Sequence, residues 1–152
     1  MAAGAWVVYD SVAEKMGDGT MDMDAIECDM ILCLSTSNCA TTTLALYSEI
    51  TNEVATDFGY TQSGEVCTGT ISAANQWLRS AGTVKFDCDD VVWTAAGGSI
   101  VARFAVIKEH TTGHLIACCL LDSSPADVTA TTGNTLTVTI HGDGVFSVAR
   151  AA

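Results

Sequence analysis

Ser99-Ile-Val-Ala-Arg-Phe-Ala-Val-Ile107, Lys108-Glu-His-Thr-Thr-Gly113 and His114-Leu-Ile-Ala-Cys-Cys-Leu-Leu121 follow one another without a break. In the first run Ile100, Ala102, Phe104 and Val106 alternate with Val101, Arg103, Ala105 and Ile107, the period of a β-strand. The second run is polar and ends on glycine, so it reads as a hairpin connection that returns the chain through the third. A long antiparallel hairpin is the frame from which the rest is read.

Working outward, Ile26–Leu34 reads as a strand that is apolar on both faces in its second half, a strand running through the middle of the fold. Glu65–Ile71 and Thr83–Asp87 are short strands by composition. Thr135–Ile140 puts Leu136, Val138 and Ile140 inside and three threonines outside, and His141-Gly-Asp-Gly144 turns the chain back into Val145–Val148. Ser123–Asn134 reads as a polar loop. Residues 41–54 are ambiguous: Leu46, Ile50 and Val54 keep a spacing of four, which favours a helical turn or two. At the start, Val8, Val12 and Met16 fall on one helical stripe with Trp6 and Tyr9 nearby. A shorter helix starting at Asp10 or Ser11, with Ser11 and Glu14 as a capping box, fits as well, and Gly17-Asp18-Gly19 ends either one. The fold class expected is mainly β, an antiparallel β-sandwich or barrel with a short N-terminal helix. One domain over 1–152 is expected, with 1–25 as an N-terminal arm and helix and 26–152 as the β core.

Composition narrows the function. Lys+Arg number 6 against 18 Asp+Glu, a net charge of −12, and six cations do not build a nucleic-acid surface. No apolar run approaches the ~20 residues of a membrane helix, so no membrane partner is expected. The stretch from Met1 to Asp10 lacks a basic region ahead of an apolar one, and synthesis and folding in a cytoplasm are expected. The sequence carries no nucleophile elbow, phosphate loop or dinucleotide fingerprint, and neither catalysis nor a cofactor is expected. A cysteine nucleophile served by His141 stays open, because such partners are brought together only by folding.

Three constellations could hold a metal. Asp18, Asp22 and Asp24 resemble a calcium loop only in outline, for the glycine stands second and the closing glutamate is missing. Asp87, Asp89 and Asp90 read as a solvated turn. His110 and His114 stand four apart but flank the hairpin turn, with Cys118 and Cys119 close by. No metal is expected. The seven cysteines, Cys28, Cys33, Cys39, Cys67, Cys88, Cys118 and Cys119, cannot all pair within the chain. They read as buried thiols or as disulfides formed late in an oxidising medium, and their spacing fits zinc poorly.

Six stretches in order carry a resemblance: Trp6–Asp24, Met30–Ser37, Ser48–Val54 with Gly59–Gly64, Phe86–Thr94, Ala102–Lys108 with Thr112–Ala117, and Thr137–Val148. Together they resemble a family of small structural proteins of tailed bacteriophages, found beside head genes. The resemblance implies a virion component on the capsid exterior, a decoration (cement) protein that contacts the major capsid protein and itself as a homotrimer. A tail or baseplate component with a host-binding role is the alternative, for which Trp77 and Trp93 would be the glycan platforms. Trp6, Val7, Val8 and Tyr9 concentrate apolar and aromatic surface near the start of the chain and are the expected contacts with a neighbour or the shell. The cysteines depart from the family pattern. Cys28, Cys33, Cys39 and Cys67, in or beside its variable loop region, are therefore the expected members of a disulfide formed in the mature particle.

Overall fold

The computed structural model describes residues 4–68, 76–124 and 126–149. At its centre the expected hairpin is joined by a third strand, a pairing the sequence did not show. β2 (Cys28–Cys33) lies antiparallel to β8 (Phe104–Glu109), with Asp29 opposite Lys108 and Ile31 opposite Val106. β9 (Leu115–Leu120) returns beside β8 through a turn at 110–113, and a bulge falls between Ile107 and Lys108. All six residues of β2 are buried, so both faces of this sheet are covered. β1 (Val7–Val8) and β3 (Glu65–Val66) complete it, in the order β1-β9-β8-β2-β3. Residues 69–71 of the expected Glu65–Ile71 strand lie outside the described residues.

Three smaller antiparallel sheets feed the same core. β6 (Val91–Thr94) pairs with β11 (Thr135–Val138), β7 (Ile100–Ala102) with β10 (Val128–Ala130), and β5 (Thr83–Phe86) lies between β4 (Trp77–Ser80) and β12 (Phe146–Ala149). Trp93, Phe86, Ile100, Leu136 and Val138 from these sheets join Met30, Leu32, Ile107 and Leu115 from the large one in a single apolar cluster. Burying each such large side chain contributes about 1.5–3 kcal/mol. The fold is mainly β and sandwich-like, with several antiparallel sheets and no closed barrel. No helix among the described residues is long and apolar enough to cross a membrane.

The structure corrects several sequence readings. The strand read as Ser99–Ile107 is two strands that serve different sheets. Arg103 breaks the run: its N–H donates to the Cys33 carbonyl, its own carbonyl accepts from Leu121, and its guanidinium is held by Asp127 at 2.8 Å. β12 does not fold back on β11. It pairs with β5, while Gly144 and Val145 donate to the carbonyls of His141 and Phe86. Val128–Ala130, expected as part of the Ser123–Asn134 loop, is a strand because Ile100–Ala102 offers it an edge. Within 41–54 only Tyr47–Glu49 is helical, a single 3-10 turn whose N-terminal amides are taken by the Glu49 carboxylate.

The N-terminal helix exists as α1 (Ser11–Gly17) and ends where Gly19 takes a left-handed φ of 78°. It starts too late to hold Trp6, Val8 and Tyr9, which belong to an extended arm. The Ser11–Glu14 capping box is not formed: Asp10 is the cap residue, without a side-chain bond, and Ser11 Oγ is buried with no partner. Val7 stands opposite Cys118, and Gly4 and Tyr9 donate to Leu120 and Ile116, so the arm is the edge strand of the main sheet.

Candidate functional site

Residues 34–64 fold over the face of the main sheet that carries Asp29, Cys33, Lys108 and Cys118, and the buried pair Asp29 and Lys108 lies beneath them. Direct cross-strand pairing puts Lys108 Nζ 2.6 Å from Asp29 Oδ2, with the two side chains only 4% and 6% exposed. The Tyr47 ring covers the ammonium at 5.2 Å, a cation–π contact. His110, in the turn after β8, brings Nδ1 to within 2.8 Å of Asp29 Oδ1, and Glu27 stands 3.5 Å away. The hydrogen bond and charge of Asp29 hold His110 above the usual imidazole range. Next to this group Glu53 accepts from the hydroxyls of Tyr47 and Tyr60 and from the Ser63 amide. Tyr60 in turn accepts from the Leu32 amide at 3.0 Å. Tyr47, Ser48, Ser63, Lys108 and His110 line an open cleft of about 440 Å³.

What this arrangement does chemically is limited and clear. Asp29 is shared between Lys108 and His110, Lys108 is sealed under Tyr47, and His110 is the half-exposed group whose protonation Asp29 favours. Among the described residues no hydroxyl or thiol is bonded to His110, whose ring nitrogen is taken by Asp29. The geometry is that of a polar lock between β2, β8 and the 46–63 segment.

The arm is the second feature. Tyr9 is 2% exposed and its hydroxyl donates to the Cys39 carbonyl at 2.5 Å, so this residue anchors the arm to its own chain. Val7 points outward at 51% exposure, and Trp6 and Val8 are half-buried. Trp6 lines a cleft of about 540 Å³ with Ala5, Cys119, Val138 and His141. Of the expected contact residues, Trp6, Val7 and Val8 thus keep surface to offer, while Tyr9 is committed to the core.

The thiols form a third set. All seven are buried and free in this structure, the expected disulfide members Cys28, Cys33, Cys39 and Cys67 among them. The fold groups them by tertiary proximity. Cys39 Sγ lies 3.9 Å from Cys118 Sγ, and the Cys33 thiol also faces Cys39. Donation from Cys118 and Cys33 favours the thiolate form of Cys39. Cys88 faces Cys67 on the other side, and the Cys67 amide donates to the Cys28 carbonyl. Cys118, not among the expected members, meets Cys39 through the fold alone.

The remaining candidates do not converge. Among the described residues no three His, Cys, Asp or Glu side chains come together to hold a metal. Asp18 caps the Thr20 amide, and Asp22 and Asp24 crowd each other in an exposed turn. His114 bonds Thr112 at 2.9 Å, away from His110. Asp87 pairs with Lys85, and Asp90 accepts from the Ile140 amide. Cys119 and His141 line one cleft, but burial pushes the Cys119 thiol up to about 11, so it is protonated at neutral pH and a poor nucleophile. Neither expected glycan platform is open. Trp93 is buried against Tyr60 and Trp77 is half-buried against Phe146.

Comparison with protein-family models, with curated proteins and with solved structures finds no match to this chain.

Proposed function

We propose that this chain is a structural protein of a tailed-bacteriophage particle, a capsid decoration protein that clamps neighbouring major capsid protein subunits from the outside and associates with itself as a homotrimer. The collinear resemblance of its sequence motifs motivates the reading. The structural observation that supports it best is the arm: a strand stitched to its own core by Tyr9 that still presents Val7 and Trp6 at the free edge of a rigid sheet. A clamp needs such a preformed apolar edge and little else, because a preordered contact loses less conformational freedom on binding. The acidic surface discourages attachment to packaged or released DNA.

The test is binding of the full chain to undecorated heads, with copy number per particle counted by quantitative gel. Hundreds of copies support a shell position. A handful would place the chain in the tail or baseplate, and no binding would remove the reading. Val7→Asp, whose side chain faces solvent, should fold normally and lose occupancy.

In released particles we propose one disulfide, between Cys39 and Cys118. Thiol–disulfide exchange with an oxidised small-molecule disulfide would form the S–S bond, the two thiols passing two electrons and two protons to yield two small thiols. Peptide mapping after alkylation of particles tests it. Seven alkylated cysteines per chain would leave all of them buried apolar side chains.

A further inference from the structure

The three-stranded sheet β12-β5-β4 differs in charge from everything around it. Its hairpin, Trp77–Phe86, carries Arg79 and Lys85, and Arg150 follows β12 in the sequence. Residues 77–86 and 145–152 thus hold three of the 6 cations and none of the 18 acids. The rest of the chain carries every carboxylate side chain. Arg79, Val84 and Val148 stand opposite one another across the three strands, on the same face as Trp77, Phe86 and Phe146 two residues away. At that base the face is packed: Phe86 is fully buried, with Phe146 at 5.4 Å and Trp77 at 6.1 Å from Phe146. One row further out it is open. Arg79 is exposed and Val148 is 46% exposed. Among the described residues Arg79 has no ion-pair partner, whereas Lys85 is held by Asp87 at 2.7 Å and the Gly142 carbonyl.

An unpaired arginine flanked by aliphatic side chains and backed by an aromatic cluster has the makeup of a protein contact. We propose that the Arg79–Val84–Val148 face is a docking surface for the acidic surface of a second copy of this chain, in a head-to-tail contact. The charge decides the geometry. A two-fold contact centred on this face would set Arg79 against Arg79, whereas a head-to-tail one sets the cationic sheet of each copy on the carboxylate-rich remainder of the next. The proposal rests on the self-association put forward above and names the surface that makes it.

The experiment is sedimentation velocity on the full chain, wild type against Arg79→Glu and Val148→Asp, with thermal melts to confirm that each variant folds. Wild type is expected to sediment as a closed oligomer, and both variants as monomers with near-unchanged melting. Arg79→Lys, which keeps the charge, should retain most of the assembly. Because a head-to-tail contact leaves each variant with an intact acceptor surface, added Arg79→Glu should cap and break up labelled wild-type oligomers. A wild-type chain that stays monomeric at its highest soluble concentration overturns the proposal, as does an Arg79→Glu chain that assembles like wild type. A wild-type monomer whose head occupancy falls on Arg79→Glu assigns the surface to the shell protein instead, and also overturns it. Head occupancy by a monomer would leave the decoration reading standing while this one fails. Assembly without head binding would do the reverse.

Discussion

At the scale of single residues, the Asp29–Lys108 pair sets the sharpest expectation. Both groups are buried, so removing Lys108 leaves the Asp29 carboxylate with only His110, and removing Asp29 leaves the Lys108 ammonium with only the Tyr47 ring. Lys108→Met or Asp29→Leu alone should cost about 3–5 kcal/mol. The double variant should recover most of that, because two apolar side chains leave nothing unsatisfied. Denaturant unfolding of the four-member cycle measures it. His110 adds a pH dependence to the same cluster. Its folded pKa is raised by Asp29, so its contribution is complete below the ordinary imidazole value of about 6.5 and fades as pH rises through the raised folded value. Unfolding curves of wild type and His110→Gln should diverge most at acid pH and converge on the alkaline side. Gly64 has little freedom. Its φ is +80°, and a Cβ there would run into the Met30 carbonyl, a backbone group that cannot move aside. Gly64→Ala should destabilise by about 3 kcal/mol or more in a thermal melt, more than a left-handed φ alone exacts.

At the scale of elements, the arm behaves as part of the sheet. Removing residues 4–9 would take away β1 and the Tyr9–Cys39 bond and bare the edge of β9. Such a truncation should lower the melting temperature and raise aggregation on heating, as light scattering would show. Tyr9→Phe isolates the hydroxyl and should cost about 1 kcal/mol. The same elements show what was legible in the sequence. β2 and β9 follow from apolar runs because each lies between two other strands, and β11 follows from alternation because one of its faces is wet. Of the two helix readings the shorter one, starting at Ser11, is formed; β1 stayed hidden because Val8 shares a helical spacing with Val12 and Met16 of α1, and a two-residue edge strand has no period to detect. The split of 100–109 at Arg103 and the pairing of β12 with β5 are register decisions made between distant residues. The site divides the same way. Asp29 and Lys108 carried no local signal, since their pairing exists only across strands, and Cys118 meets Cys39 only because 34–46 folds back over the sheet.

At the scale of the molecule, a net charge of −12 on 152 residues means that the folded chain repels itself. Since the described ion pairs are few against 18 acids, added salt should screen more repulsion than attraction. The melting temperature of the isolated chain should rise between low and moderate ionic strength, a shift that differential scanning calorimetry would register.

The strand pairings also set a schedule for biosynthesis. β1 waits for β9, β2 waits for β8, and β5 waits for β12, so nothing made before about residue 104 can close the central sheet, and the last sheet needs residue 149. Pairings of such sequence separation fold slowly, in milliseconds to seconds. A nascent chain therefore leaves the ribosome with its hydrophobic strands and thiols still uncovered, and its yield in the cell depends on how quickly the residues from 104 onward arrive.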